Sequence, residues 1–344
     1  MNPERFQKLT AQYSSLHIGV LGDFCLDRYL EIDPGRQETS LETGLPVHNV
    51  VNVRAQPGGA GTILNNLSAL GIGNLYPTGF AGHDAEGFEL WNALQALRGV
   101  SLKHFVRTVH RRTFTYCKPL VLASGHAPVE LNRLDFKNWT PTPALVQGQV
   151  IDCLLAIAGS LDGLIVLDQV DVPETGVVTQ RILDVVADVM NKHPDLLVLA
   201  DSRRGLRGFP RANLKMNSGE LRALTGAKDE LTLPEIHEAA ADLARRTGSN
   251  VLITLAERGL LGATPDGQLE HVPALPVRGP IDIVGAGDAV SANIVTARLA
   301  GANFRESLEI AGAAASVVIH KLGMTGTASV AEIGERLTAQ PTDS

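Results

Sequence analysis

Asp282-Ile283-Val284-Gly285-Ala286-Gly287-Asp288 has an acid at each end and two glycines ahead of the second acid. It runs straight into 289–300, whose residues read as a helix. Glycine at a strand-to-helix turn lets the backbone approach a ligand closely, because no Cβ stands in the way. The first N–H groups of the helix point at whatever sits there, and the helix dipole favours an anion. A carboxylate at that place, Asp288, is suited to taking a proton from a hydroxyl as its oxygen attacks a phosphoryl group. The plainer reading is a glycine turn whose aspartate caps the helix.

Upstream of this loop the chain alternates strands and helices. Strand-like runs at 164–167, 196–200 and 214–216 end in Asp168, Asp201 and Asn217, and 251–255 is a further strand. Helices are expected over 175–190 and from 217 to a stop at Gly226, and a hairpin joins 259–263 to 269–272. Repeated βα units imply a doubly wound, mostly parallel sheet with helices on both faces, its ligands lying beyond the carboxyl ends of the strands. Polar strand ends on one rim fit that placement, although each is also an ordinary helix cap. Asn217 and Glu220, three apart at a helix start, read as a cap with a first-turn acid. They read equally as ligands to the water shell of Mg²⁺. Downstream, 305–322 reads as a long helix and 329–337 as a last one before a fraying tail.

The amino-terminal half is less regular. A buried first strand at 17–21 ends in Gly22-Asp23, with Asp27 close behind, placing two acids where a small polar substrate could be held. The β-rich segment 45–53 and the patches 113–117 and 131–136 suggest a flap over that site. Gly58-Gly59 opens a second helix, through Leu70, where Asn65 or Asn66 could meet hydroxyls; close helix packing accounts for the same glycines. A strand at 75–80 and a helix at 86–97 follow.

The chain has 344 residues, 44% of them hydrophobic, enough for one large α/β domain or two small ones. A net charge of −7 argues against non-specific binding to nucleic acid or to an acidic membrane. No segment is apolar enough to span a bilayer, and 1–12 lacks a signal core. Three scattered cysteines among 344 residues fit a reducing cytoplasm, and the ten histidines show no metal-ligand spacing.

Together, Gly22-Asp23 with Asp27, Gly58-Gly59, Asn217-x-x-Glu220 and Gly285-Ala286-Gly287-Asp288 resemble, in this order, the ribokinase-like (PfkB) carbohydrate kinases. The resemblance covers about residues 15–337. Within that family the chain is most similar to the heptose-7-phosphate kinase domain of the bifunctional enzyme of ADP-heptose synthesis, through residues 22–29, 133–136, 201–205 and 321–323. The resemblance implies a single ribokinase-like kinase domain over 1–344 with a small β lid, formed by segments of about 24–52 and 106–136. It implies ATP as donor, Mg²⁺, often K⁺, a sugar or sugar phosphate as acceptor, and a homodimer through the lid. Asp288 would be the base, with the amides of Gly285, Ala286 and Gly287 as the anion hole. Asp27, Gly58, Gly59, Thr62, Asn66 and Asp135 would hold the substrate. Asn217, Glu220, Arg203, Thr254, Glu257, Gly259 and Asp282 would lie by the nucleotide and its ions, Glu220 meeting Mg²⁺ through water and Asp282 marking the K⁺ site. Four positions depart from the family pattern. Val284 stands where Thr is usual, Thr62 where Asn is usual, Glu38 where the heptose kinases carry Arg, and Arg203 where Lys is usual. A nucleoside kinase of the same fold and a catalytically weak sugar- or nucleotide-binding regulatory protein are the other readings.

Overall fold

The central strands are apolar from end to end because both of their faces are covered by helices. The computed structural model describes residues 1–338 except 127, 228 and 324; most of the tail beyond 337 therefore lies outside the described residues. In chain order, α1 (Pro3–Thr10) leads to β1 (His17–Gly22) and β2 (Phe24–Ile32). The short β3 (Glu38–Thr39) and β4 (Pro46–Val47) precede β5 (Val50–Gly59), α2 (Ala60–Ala69), β6 (Asn74–Thr78), β7 (Phe80–Gly82) and α3 (Ala85–Gln95). Next come β8 (Val106–Thr108), β9 (Phe114–Val121), β10 (Val129–Glu130), β11 (Leu134–Phe136) and α4 (Ala144–Ile157). The rest alternates: β12 (Gly163–Asp168), α5 (Gln180–Lys192), β13 (Leu197–Ser202), β14 (Asn213–Asn217), α6 (Ser218–Thr225), α7 (Leu233–Thr247) and β15 (Val251–Thr254). It closes with β16 (Leu260–Ala263), β17 (Leu269–Val272), α8 (Ala286–Leu299), α9 (Phe304–Val318) and α10 (Val330–Thr338).

Eight strands form the main sheet in the order β17-β16-β15-β14-β13-β12-β1-β6. From β6 to β15 every pairing is parallel, and β16 and β17 add an antiparallel edge. One face buries α2, α8 and α9 with α1 and α10; the other buries α4, α5 and α7. This is the doubly wound, mostly parallel architecture expected. A second sheet, β10-β9-β2-β5 with β11 also on β9, rises beyond β1. It forms because β2 leaves the main sheet directly after β1 and pairs antiparallel with β5 and parallel with β9.

The second sheet differs in extent from the expected lid. Its first part runs on through Gly59, and its second begins at Phe114: Val106–Thr108 pairs instead with Phe80–Gly82. Helix α5 starts at Gln180 rather than near 175, with Thr179 as its cap. The residues before it are held by Asp23, whose carboxylate accepts the N–H groups of Gln169 at 2.8 Å and Val177 at 2.6 Å. Helix α9 ends at Val318, short of the expected 322.

Candidate active site

Gly285 sets the shape of the loop before α8. Its φ of 84° is left-handed, and a Cβ there would stand 2.5 Å from Thr325 Cγ2. Asp282 braces the approach: its Oδ1 accepts the Val284 N–H at 3.0 Å, and its own N–H donates to the Ile319 carbonyl at 2.8 Å. The Ala286 N–H reaches the Ile283 carbonyl at 3.3 Å. The N–H groups of Gly285, Gly287 and Asp288 have no acceptor among the described residues. A helix start with open donors attracts an anion.

Behind this loop lies Lys215, a buried lysine of β14. Its ammonium donates to Asp201 Oδ2 at 2.6 Å, and a Cβ on Gly287 would stand 3.0 Å from its Nζ. Ser291, one turn into α8, donates to the Gly287 carbonyl at 3.2 Å and lies 3.4 Å from the same Asp201 oxygen. A positive charge thus sits directly behind the open amides. Burial pulls the Lys215 ammonium down, but Asp201 and then Asp288 hold it above the ordinary lysine value. Burial pushes the Asp288 carboxyl up to about 7; Lys215 opposes this and Asp201 and Asp27 add to it. Asp288 is still partly exposed, as a group that meets a substrate must be. A carboxylate titrating near neutrality beside open phosphate-type donors is suited to taking a proton from an alcohol.

The second sheet supplies the opposite wall. Its register places Asp27, Gln56, Tyr116 and Asp135 in one row, and Tyr29, Arg54 and Lys118 in the next row on the same face. Lys118 Nζ lies 3.7 Å from Asp27 Oδ2. Gly58 keeps its own wall thin: a Cβ there would stand 3.0 Å from the Asp27 carboxyl carbon. Gly59 is the N-cap of α2. Thr62 is buried, its Cγ2 packed towards Gly285, so it joins the helix to the anion loop rather than facing the cleft. Asn66 corrects an expectation: it has no exposed surface, and its amide donates to the Thr62 carbonyl at 3.0 Å. A ligand in the cleft meets no atom of it in this conformation.

On the nucleotide side, Asn217 and Glu220 form a reciprocal capping box. Asn217 Oδ1 accepts the Glu220 N–H at 2.8 Å, and Glu220 Oε2 accepts the Asn217 N–H at 2.7 Å. The cap reading of this pair is therefore realised, and Oε1 has no donor among the described residues. Thr254 pairs in register with Asn217 on the neighbouring strand. Exposed Arg203 lies 3.8 Å from Asp171 and helps hold the Asp288 carboxyl down. Glu257 is exposed. Gly259 is buried; its N–H donates to Ala256 and its carbonyl accepts from Leu255, closing the turn that follows β15.

Sequence reasoning did not select Lys215, Tyr116 or Lys118 for the site. A signal for Lys215 exists: a lysine between Leu214 and Met216 in a central strand must find a buried partner.

Residues 177–330 match the family described as pfkB family carbohydrate kinase. The chain belongs to this family. The pfkB match spans the anion loop, Lys215 and the Asn217–Glu220 cap. The chain is also similar to the bifunctional protein HldE of Azorhizobium caulinodans, 30% identical over 327 residues, covering 94% of this chain and 65% of that protein. HldE of Gluconacetobacter diazotrophicus is 31% identical over 332 residues, 96% of this chain and 66% of that protein. The chain thus spans about two thirds of the length of these relatives. Among solved structures, Arabidopsis thaliana ribokinase complexed with ribose and ATP superposes with a TM-score of 0.69 at 20% identity, over 94% of this chain and 99% of that one. Escherichia coli phosphofructokinase-2 gives 0.71 at 18% identity, over 94% and 98%. At such identities the two structures establish the ribokinase-like fold. No helix among the described residues is long and apolar enough to cross a membrane.

Proposed function

We propose that the protein is an ATP-dependent carbohydrate kinase that phosphorylates a hydroxyl of a sugar or sugar phosphate, with Asp288 as general base. The observation that carries this is the placement of Asp288. Its carboxylate stands at the first turn of α8, beside open N–H groups and in front of the buried Lys215 ammonium. The acceptor hydroxyl loses its proton to the Asp288 carboxylate as its oxygen bonds to the γ-phosphorus, and ADP leaves with the electrons of the broken P–O bond. The amides of Gly285 and Gly287, with Lys215 behind them, stabilise the charge on the phosphoryl oxygens. Asp27 and the Gly58-Gly59 pair orient the acceptor, with Asp135 in the same row as Asp27.

The free Oε1 of Glu220 fits a water of hydrated Mg²⁺, which prefers few protein ligands. When bound, Mg²⁺ would neutralise charge on the polyphosphate. Asn217, Thr254, Glu257 and Arg203 flank the nucleotide in this reading, and Asp282 would lie by a K⁺ site. The second sheet closes over the site and pairs with that of another copy in a cytoplasmic homodimer. ADP release measured over free sugars, sugar phosphates and nucleosides, in K⁺ and in Na⁺ buffers, tests the proposal. Release with sugars above the no-acceptor blank supports it. A preference for nucleosides would redirect it, and binding of ATP and sugar without release would sink it.

A further inference from the structure

The second sheet, with the residues that border β11, brings Lys118, Arg133 and Lys137 to the acceptor side of the cleft, and each already has a carboxylate. Lys118 lies 3.7 Å from Asp27. Arg133 makes a two-pronged pair with Asp135, at 3.2 Å and 2.6 Å. Lys137 donates to Asp171 at 2.7 Å and stands 3.9 Å from Asp135. Asp171 also meets Arg203 of the nucleotide side, at 3.8 Å. Three cations thus face three carboxylates, and Arg203 with an ionised Asp288 adds one charge of each sign.

The same side chains are also stacked on aromatic rings. Arg133 and Lys137 lie 5.1 Å and 5.9 Å from the Tyr116 ring centre, and Lys118 lies 4.9 Å from that of Tyr29. They are therefore held in place by two kinds of contact. A phosphate monoester would have to break the two-pronged Arg133–Asp135 pair and then lie against Asp27, Asp135 and Asp171. Like charges brought together at a recognition site act as a filter against the wrong ligand. A balanced array of carboxylates, ammonium and guanidinium groups instead offers acceptors and donors to hydroxyls at no net charge.

From this pairing we infer that the acceptor is an uncharged polyhydroxy compound, and that a sugar already carrying a phosphate is disfavoured. This rests on the kinase reading above and narrows its acceptor. Asp135 and Asp171 are the specificity-determining residues: they occupy cations that could otherwise hold a phosphate.

The test uses the full chain and matched pairs of acceptors, each a free sugar and its phosphate monoester, such as mannose with mannose 6-phosphate and fructose with fructose 6-phosphate. ADP release and thermal shift are both recorded at 50 mM and 300 mM salt. At least tenfold higher kcat/KM for the free member of the best pair, little altered by salt, is the expected result. A phosphorylated member favoured tenfold, with a KM that rises with salt, would overturn the inference and leave the kinase reading standing. Should no pair release ADP, the kinase reading fails, and thermal shift decides the rest. Greater stabilisation by the free sugar would support the uncharged acceptor; greater stabilisation by the monoester, or none by either, would overturn it. In the paired variant Asp135→Asn with Asp171→Asn, the ratio of monoester to free-sugar stabilisation should rise at least tenfold when expressed as affinity. An unchanged ratio would remove these two carboxylates from the account.

Discussion

At the scale of single residues, the site stores charge that the fold would be more stable without. The Asp288 carboxyl titrates near 7 in the folded chain, against about 4 for an unfolded aspartate. Its folded pKa is raised, so the folded chain binds more protons than the unfolded one between those values, and this group's contribution to stability is lost as pH rises through 7. Asp288→Asn should therefore be more stable than the natural chain at pH 8, by up to about 4 kcal/mol and less where water reaches the group. The gap should close near pH 4, as thermal or urea melts at the two pH values would show. A base must be ionised to work, so under the role proposed for Asp288 kcat/KM should fall about tenfold per pH unit below about pH 7. Lys215→Met should cost about 3–5 kcal/mol in urea unfolding, because Asp201 becomes a buried charge without a counter-charge. The Gly285–Asp288 turn was legible in the sequence as glycines ahead of an acid at a helix start, with the helix-cap reading of Asp288 open beside the functional one, and Asp27 stood out only by its place just behind the end of the first strand. Lys118 and Tyr116 were not legible, because their relation to Asp27 exists only through the register of β2 on β9.

At the scale of elements, the connection between β12 and α5 depends on one side chain from another strand. Asp23 is buried, accepts the N–H groups of Gln169 and Val177, and is pushed up to about 7 by burial and by Asp168. Asp23→Ala leaves two N–H groups without acceptors, at about 1–3 kcal/mol each. Faster amide hydrogen exchange confined to residues 169–179 would show that the damage is local. This anchoring also explains why α5 was expected too early: Val177 and Val178 continue the apolar pattern of the helix, but Asp23 holds the backbone there in a different shape. Helices α4 and α7 passed unread. The first is apolar around most of its circumference, so its period is faint, whereas α7 carries a Thr232–Glu235 capping box that signalled its start. Strands of the main sheet were the most legible elements, because burial on both faces leaves continuous apolar runs.

At the scale of the whole molecule, the family was legible in four short motifs and the doubly wound fold in the repeated βα units, while the reach of the second sheet was not. Its strands pair across long sequence distances, and local pattern does not encode such partners. This sheet and its adjoining turns expose Leu41, Leu45, Val50, Val51 and Val53, of which Val51 and Val53 share one face of β5. If it joins two copies, Val51→Lys with Val53→Lys should convert a dimer to a monomer in light scattering after gel filtration. A natural chain that is already monomeric at micromolar concentration would remove the dimer from the account. In the kinase proposed above, a carboxylate and a cradle of main-chain donors meet an alcohol and a triphosphate in the cleft between the two sheets. The most direct test of this claim is single-turnover phosphoryl transfer by Asp288→Asn, with ATP binding measured on the same sample. The predicted result is a fall in rate of at least about two orders of magnitude with ATP affinity nearly unchanged. A variant that transfers phosphate at the natural rate would contradict the claim.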